Sequence, residues 1–190
     1  FAKSYPQVKQ NIHYKPMEEL MQMLERNELD FVLAFKPSTR HDNIESHVLF
    51  DNHLAAIVRN GHPLANKDKI TIAELERYDI ALPAKGLQAR NAFDRVQSRY
   101  FSQFKVRIEL NEVNILLKLI KQSDLVTVLS EATTYSEEGV KAISIDFPDN
   151  EMEGCVHLRK DVYRKQSVKE FIRILSESNA VKQRVNEWLK

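Results

Sequence analysis

The sequence contains 190 residues, of which 43% are hydrophobic and 29% charged, ordinary values for a globular protein. Lys and Arg number 28 against 27 Asp and Glu, so the chain lacks the basic excess that marks a stand-alone nucleic-acid-binding surface. No apolar run approaches the roughly 20 residues that span a bilayer, and no signal peptide is visible. The single cysteine, Cys155, excludes an internal disulfide, and its apolar-alternating surroundings favour a buried thiol in a reducing compartment.

The first part of the chain predicts strands around one helix. Apolar residues alternate over 8–14, which predicts an extended segment. Pro16 opens a helix whose apolar face is formed by Met17, Leu20, Met21 and Leu24. The run 29–35 predicts a buried strand, and residues 46–58 predict two extended stretches joined around residues 51 and 52.

The stretch RNGHPLANK, residues 59–67, places a histidine between two turn-forming residues in a chain with few of them. A metal ligand, a catalytic base and a simple turn are all possible roles for His62. The sequence offers no second ligand at a suitable spacing and no nucleophile, so the first two interpretations lose weight. Asn60 and Gly61 suit a turn, and Pro63 blocks a strand from continuing.

The second part of the chain alternates short strands with amphipathic helices. Strands are predicted over 78–82, 106–110, 125–129, 143–147 and 155–160. The helices present apolar faces formed by Ala89, Ala92, Phe93, Val96 and Tyr100, by Val113, Leu116, Leu117 and Ile120, by Val168, Phe171, Ile172 and Leu175, and by Val181, Val185, Trp188 and Leu189. This order predicts an α/β fold with a largely parallel sheet and helices on both faces.

Helix starts are predicted from capping residues. Thr71 with Glu74, and Ser167 with Glu170, have the spacing of capping boxes. Asn111 is expected to cap the helix that follows the 106–110 strand.

Catalytic and cofactor motifs are not found in the sequence. It has no G-x-G-x-x-G, no Walker A loop, no H-E-x-x-H and no G-x-S-x-G, and its four glycines are scattered. The six histidines show no paired ligand spacing; His47 and His53 are weak evidence for a metal. We therefore expect no catalytic residues, no metal and no cofactor.

Helix N-termini that follow strands suggest where a ligand would bind. The loop 83–90 precedes one predicted helix, and Asn111 precedes another. Ligands of open α/β sheets gather at the carboxyl ends of strands, and helix N-termini favour anions there. Lys85 and Arg90 add positive charge, although Arg90 could equally solvate a helix face.

Several segments resemble a known family in the expected order. They are FAKSYPQV (1–8), NELDFVLA (27–34), HPLA (62–65), ITIAEL (70–75), NEVNILLKLI (111–120), LSE (129–131) and RKDVYRK (159–165). Together they resemble the C-terminal effector-binding domain of LysR-type transcriptional regulators, over essentially the whole chain. Each segment alone is weak, whereas the NELD and HPLA segments at this spacing are fairly specific.

The resemblance implies a type 2 periplasmic-binding-protein-like fold, with two α/β subdomains joined by two crossover strands. The expected first subdomain holds residues 1–65 and 155–190, and the second holds 66–154. The stretch 59–67 would then mark the passage from one to the other. The DNA-binding winged helix-turn-helix, the first strand and the start of the first helix of the family would lie outside this sequence.

The resemblance also implies an effector site in a cleft, with binding roles only. The expected lining residues are Lys36, Pro37, Ser38, Ala84, Lys85, Gln88, Arg90, Asn111, Val113, Asn114 and Ser130. Helix N-terminal amides with a Lys or Arg would hold an anionic group.

The implied protein is a cytoplasmic bacterial regulator that senses a small molecule and binds DNA through the domain outside this sequence. It would associate with no membrane, and would form a homodimer or, at full length, a higher oligomer. The helix near 89–101 is the candidate dimer contact, although its apolar residues could all be core. The alternative is a solute-binding receptor or an enzyme on the same two-domain scaffold.

Overall fold

The computed structural model describes residues 1–37, 39, 41–148 and 150–177. Within these residues the helices are Met17–Glu25 (α1), Ile72–Leu75 (α2), Gln88–Tyr100 (α3), Val113–Lys121 (α4) and Gln166–Ser176 (α5). The strands are Val32–Phe35 (β1), Ile44–Arg59 (β2), Lys69–Thr71 (β3), Asp79–Pro83 (β4), Lys105–Leu110 (β5), Thr127–Ser130 (β6), Val140–Asp146 (β7) and Glu151–Arg159 (β8). The amphipathic turns expected around Val181, Val185, Trp188 and Leu189 lie outside the described residues.

The chain divides into two compact units. Unit 1 comprises Phe1–Asp51 and Glu153–Lys190, and unit 2 comprises Asn52–Met152. Strands β2 and β8 both continue from one unit into the other. The subdomain limits expected at residues 65 and 154 remain a prediction.

Strand β2 differs from its prediction, because it is one strand and not two joined at residues 51 and 52. Its early residues pack in unit 1, where Leu49 is 2% exposed, and Leu54–Val58 are buried in unit 2. A long strand that packs first in one core and then in another has polar residues where it passes between them. In the sequence, such polar residues resemble those of a turn.

Unit 1 has helices on both faces of its sheet. Strand β1 pairs antiparallel with β8, and Val32 lies opposite His157. Helix α1 packs on one face through a cluster of Met21, Leu24, Val32 and Ile44. Helix α5 packs on the other through a cluster of Leu49, Val156, Leu158, Val168 and Ile172. The extended segment expected over 8–14 does not form a strand in the structure.

Unit 2 contains a mixed sheet. Strand β4 pairs parallel with β5 and, through Ile80 and Val126, with the residues that lead into β6. Strand β2 pairs antiparallel with β6 and with β7, and β3 pairs parallel with β7. The expectation of a largely parallel sheet is therefore wrong for β2 and β8, since strands that return between two units run against their neighbours.

The helix caps agree with the sequence at one of three positions. Thr71 and Glu74 form the predicted capping box. The other two predictions are wrong: Glu112, and not Asn111, caps α4, and α5 begins one residue before Ser167, with Lys165 at its N-cap. Ser167 therefore lies inside the first turn of α5, where its side chain does not cap the helix.

Candidate functional site

The carboxyl ends of three neighbouring strands of unit 2 meet at one edge of its sheet. Strands β5, β4 and β6 are parallel, and they end at Leu110, Pro83 and Ser130. We call this edge the carboxyl edge. The amide of Ala84 donates to the carbonyl of Leu110 across 2.7 Å, which fixes the two strand ends together. Helices α3 and α4 both start at this edge, so the geometry matches the ligand-binding crevices of open α/β sheets.

Helix α3 starts at the carboxyl edge without a side-chain cap. Its N-cap residue, Leu87, makes no side-chain hydrogen bond to the first turn. The turn before it is formed by Gly86 at φ 90°, a left-handed conformation that suits glycine. The first amides of α3 have no partner in the helix itself and keep their partial positive charge. Lys85 is exposed in the same loop and forms no ion pair with any described residue, while Gln88 is the first residue of α3.

Arg90 is buried and committed to contacts within unit 2. It is 6% exposed, and its guanidinium donates to the Pro83 carbonyl at 3.1 Å and to the carboxylates of Asp94 at 2.7 Å and Glu109 at 2.9 Å. Burial acts to lower the pKa of Arg90, but its hydrogen bonds to Asp94 and Glu109 outweigh this effect and raise it. Arg90 therefore does not solvate a helix face, and its contacts link β4, β5 and α3.

The start of α4 carries a negative charge. A Glu112 carboxylate oxygen accepts from the amide of Asn114 at 3.3 Å and so caps the helix. Asn111 and Asn114 are exposed beside it, and Val113 is half-buried. Of the two helix N-termini at the carboxyl edge, α3 keeps its partial positive charge, whereas α4 is offset by a carboxylate.

Ser130 is the predicted residue whose surroundings most resemble a binding site. It ends β6, it is 5% exposed, and its hydroxyl has no partner among the described residues. Its pairing partner on β2 is Leu54, so both side chains lie on the same face of the sheet. Leu54 lines one cavity together with Ala92 and Val96 of α3, which identifies this face as the one that α3 covers.

Asn52 is a candidate that sequence reasoning missed. It is 5% exposed and lies two residues before Leu54, on the same face of β2. Its Oδ1 accepts from the His53 amide at 2.7 Å, and its Nδ2 has no partner among the described residues. The available signal in the sequence is a polar residue within a strand pattern, which is also typical of a turn.

The residues predicted in unit 1 follow strand β1. Lys36 bonds by its amide to the Glu153 carbonyl at 2.8 Å, and its ammonium also pairs with the Glu153 carboxylate. That side-chain hydrogen bond raises the pKa of Lys36. Pro37 comes next in the chain, and Ser38 lies outside the described residues. The part these three residues play in a site remains a prediction.

His62 and Cys155, whose roles the sequence left open, are both buried. His62 is 3% exposed, and its Nδ1 accepts from the Leu64 amide at 3.1 Å at the start of a short 3-10 helix, Pro63–Asn66, as a turn residue would. No group of side chains that could hold a metal ion is found among the described residues. Cys155 is 2% exposed, and burial raises the pKa of its thiol to about 11.

The chain has a type 2 periplasmic-binding-protein-like fold. Its features are two compact units, two strands that connect them, and a carboxyl edge of the kind that binds ligands in α/β folds. Solved structures support this class. The regulatory domain of CcmR from Synechocystis PCC6803, in complex with 2-PG, has a TM-score of 0.79 with 24% identity, covering 92% of this chain and 85% of that one. The effector-binding domain of QuiR, in complex with shikimate, has a TM-score of 0.75 with 17% identity, covering 97% of this chain and 85% of that one.

The chain belongs to the family described as LysR substrate binding domain, which matches residues 1–180. It is 23% identical over 167 residues to the malolactic fermentation system transcriptional activator of Lactococcus lactis subsp. lactis (strain IL1403), across 85% of this chain and 57% of the relative. It is 27% identical over 146 residues to the RuBisCO operon transcriptional regulator of Allochromatium vinosum, across 75% of this chain and 48% of the relative. The chain thus spans about half the length of these relatives. Among the described helices, none is long and apolar enough to cross a membrane.

Proposed function

We propose that this chain binds a small anionic effector at the carboxyl edge of unit 2 and thereby regulates transcription as part of a longer protein. The effector would lie against the start of α3, with Lys85 near its negative group. Such a ligand acts on the rest of the protein only through different affinities for two arrangements of the chain.

The hydroxyl of Ser130 is the observation that carries this proposal. A buried hydroxyl without a hydrogen-bond partner costs about 1–3 kcal/mol, so such groups are rare unless a ligand or water satisfies them. Ser130 lies at the strand edge where α/β folds bind ligands and on the face covered by α3. The names of the relatives are consistent with the proposal, and shikimate, bound by one structural neighbour, is a carboxylate.

The test compares Ser130→Ala with Thr127→Val. Thr127 also lies on β6, is 0% exposed, and has a hydroxyl with no partner in the part of the chain that the structure describes. Its pairing partner Ile57, however, belongs to the cluster under α4, on the other face. Small carboxylates and phosphates are screened by thermal shift, and the best binder is measured by calorimetry. We expect Ser130→Ala to weaken binding about tenfold, since a hydrogen bond contributes about 1 kcal/mol or somewhat more, and Thr127→Val to leave binding unchanged. Equal affinity in both variants, or no binding by any anion in the screen, would refute the proposal.

Regulation by binding rather than catalysis is part of the same proposal, as is DNA binding in the cytoplasm through a helix-turn-helix outside this sequence. The test is to purify the full-length regulator and measure its affinity for the DNA upstream of its own gene, with and without the anion. A change in that affinity supports regulation. Chemical conversion of the anion by the protein would instead favour the enzyme alternative.

We further propose that the protein forms a homodimer through the end of α3. Phe93 and Val96 are core residues, whereas Phe101 is 90% exposed and Tyr100 is 39% exposed. Sedimentation would compare Phe101→Ser with Tyr163→Ser, a matched change at an aromatic residue of unit 1 that is 85% exposed. The first variant is expected to shift the chain to a monomer and the second to have no effect. A wild-type chain that is monomeric at tens of micromolar would contradict the pairing.

A further inference from the structure

Charges and hydrogen-bond donors are unevenly distributed along the carboxyl edge. This distribution indicates which chemical class of ligand the edge would bind. Across the sheet, the strands run in the order β5, β4, β6, β2. The edge therefore presents Glu112, then the Lys85 loop, then Ser130, then Asn52. The Glu131 carboxylate directly follows Ser130 and lies 3.2 Å from the His53 imidazole. Neighbouring strands lie about 4.8 Å apart, so Glu112 and Ser130 are separated by two strand spacings, roughly 10 Å.

At one end of this row are two donors with no acceptor. The Oδ1 atom of Asn52 is identified by its bond to the His53 amide, because a backbone N–H requires an acceptor. The free atom of Asn52 is therefore the donor Nδ2, which lacks a partner among the described residues. Asn52 and Ser130 are diagonal neighbours on one face of the β2–β6 pair, roughly 7–8 Å apart at their Cα atoms. Both residues are 5% exposed and both donor atoms are buried without a partner among the described residues, so an acceptor oxygen that reached them would satisfy them.

In the middle of the row the start of α3 favours one negative group. Helix α3 has 13 residues, no side-chain cap and an exposed Lys85 in the preceding loop. The second possible source of cationic charge, Arg90, is already bonded to Asp94 and Glu109. The structure thus offers one anion-binding position beside the two donors.

At the other end of the row the Glu112 carboxylate repels a second negative group. A second negative group placed roughly 6–8 Å from this carboxylate would be repelled by about 2–3 kcal/mol before screening by salt, at an effective dielectric constant near 20. About four-fifths of this survives at low ionic strength, because the Debye length at 0.01 M is about 30 Å, several times that separation.

We infer that the carboxyl edge accepts a small organic monoanion with an additional uncharged oxygen group, which Asn52 and Ser130 recognise, and that Glu112 excludes dianions. This inference rests on the proposed function and specifies its ligand class. It adds Asn52 as a binding residue and Glu112 as a determinant of specificity.

The test uses three acids that share a three-carbon skeleton, titrated at equal low ionic strength and followed by NMR. Lactate is a monoanion with a hydroxyl, propionate lacks that hydroxyl, and tartronate replaces the methyl group of lactate with a second carboxylate. Wild type is expected to bind lactate about tenfold more tightly than propionate, as one hydrogen bond implies, and more than about tenfold more tightly than tartronate, as the unfavourable charge contact implies. Lactate bound no better than propionate, or no better than tartronate, would overturn the inference.

Three variants test which residues cause each preference. Glu112→Gln keeps a side-chain oxygen for the Asn114 amide, so α4 remains capped, and it is expected to bring tartronate to within about twofold of lactate. Asn52→Ala is expected to remove the preference for lactate over propionate, and Ser130→Ala gives a second reading of that preference if Asn52→Ala folds poorly. An unchanged tartronate-to-lactate ratio in Glu112→Gln would overturn the charge selection, and an unchanged lactate-to-propionate ratio in the other two variants would overturn the role of the donors.

Failure of the ligand class is distinguishable from failure of the proposed function. If wild type binds none of the three acids, the ligand class is wrong. Binding of any other anion that is lost in Ser130→Ala would still support the proposed function.

Discussion

Removing the Arg90 side chain should destabilise unit 2, because it bonds β4, β5 and α3 to one another. The hydrogen bond to the Pro83 carbonyl is charged and buried, which corresponds to about 1.5–3 kcal/mol. The carboxylates of Asp94 and Glu109 are 38% and 45% exposed, so each ion pair contributes only about 0.5 kcal/mol after solvent screening. We therefore expect Arg90→Ala to lower the free energy of unfolding by about 3 kcal/mol.

The measurement is urea unfolding at neutral pH, with Arg95→Ala as the matched control. Arg95 lies on the same helix, is exposed, and forms no ion pair with any described residue, so its removal should cost less than about 0.5 kcal/mol. If the two variants unfolded alike, the structural role of Arg90 would be refuted. If Arg90→Ala lost anion binding while still folded, the residue would belong to the site after all.

Three other predictions concern stability. Hydrogen bonds from Lys67 and from the capping threonine lower the pKa of Glu74 from 4.5 to about 2. Its carboxylate therefore stabilises the fold above pH 4.5 and loses that effect as the pH falls. Acid unfolding curves of Glu74→Gln and wild type should converge near pH 2. A Cβ on Gly154 would overlap the Phe50 ring, so Gly154→Ala should cost about 2–3 kcal/mol in urea unfolding, and a smaller residue at position 50 should restore part of this. Burial lowers the pKa of His157 below 6.5, so the unfolded chain binds a proton more readily than the folded chain does. The wild type should therefore lose stability between pH 7 and pH 5, and His157→Gln should lose less over the same range.

The confirmed predictions depend on residues close together in the chain. The spacing of apolar residues predicts the buried face of α1, and the structure buries Met21 and Leu24 as expected. The same is true of the Thr71–Glu74 capping box, whose two bonds lie within one turn. Local patterns determine such elements because their stabilising contacts are three or four residues apart.

The wrong predictions about strands depend on residues far apart in the chain. Nothing near residue 51 indicates that β2 continues from one unit into the next, because the burial of Leu49 and Leu54 is provided by different cores. Likewise, the strand directions follow from the return of β8, about a hundred residues later in the chain. A single sequence gives the period of a strand but not the partner beside it.

The candidate site combines both kinds of information. Strand ends and helix starts are local features, and their pattern in the sequence indicates Lys85 as a candidate, while the family resemblance adds Ala84 and Ser130. The partners of Arg90 are not local: Glu109 becomes its neighbour only because β4 and β5 pair in parallel. Sequence reasoning therefore proposes positions for a ligand, but it does not predict which charges remain available to hold one.

The start of α4 shows how much a one-residue error changes the expected chemistry. With Asn111 as the cap, the helix would begin with a neutral side chain, and both N-termini at the carboxyl edge would attract anions. With Glu112 as the cap, one of the two carries a carboxylate, and the proposed site would then select ligands by charge. The residue types are visible in the sequence, but only the geometry of residues 111–114 shows which of them caps α4 and so which charge stands at the start of that helix.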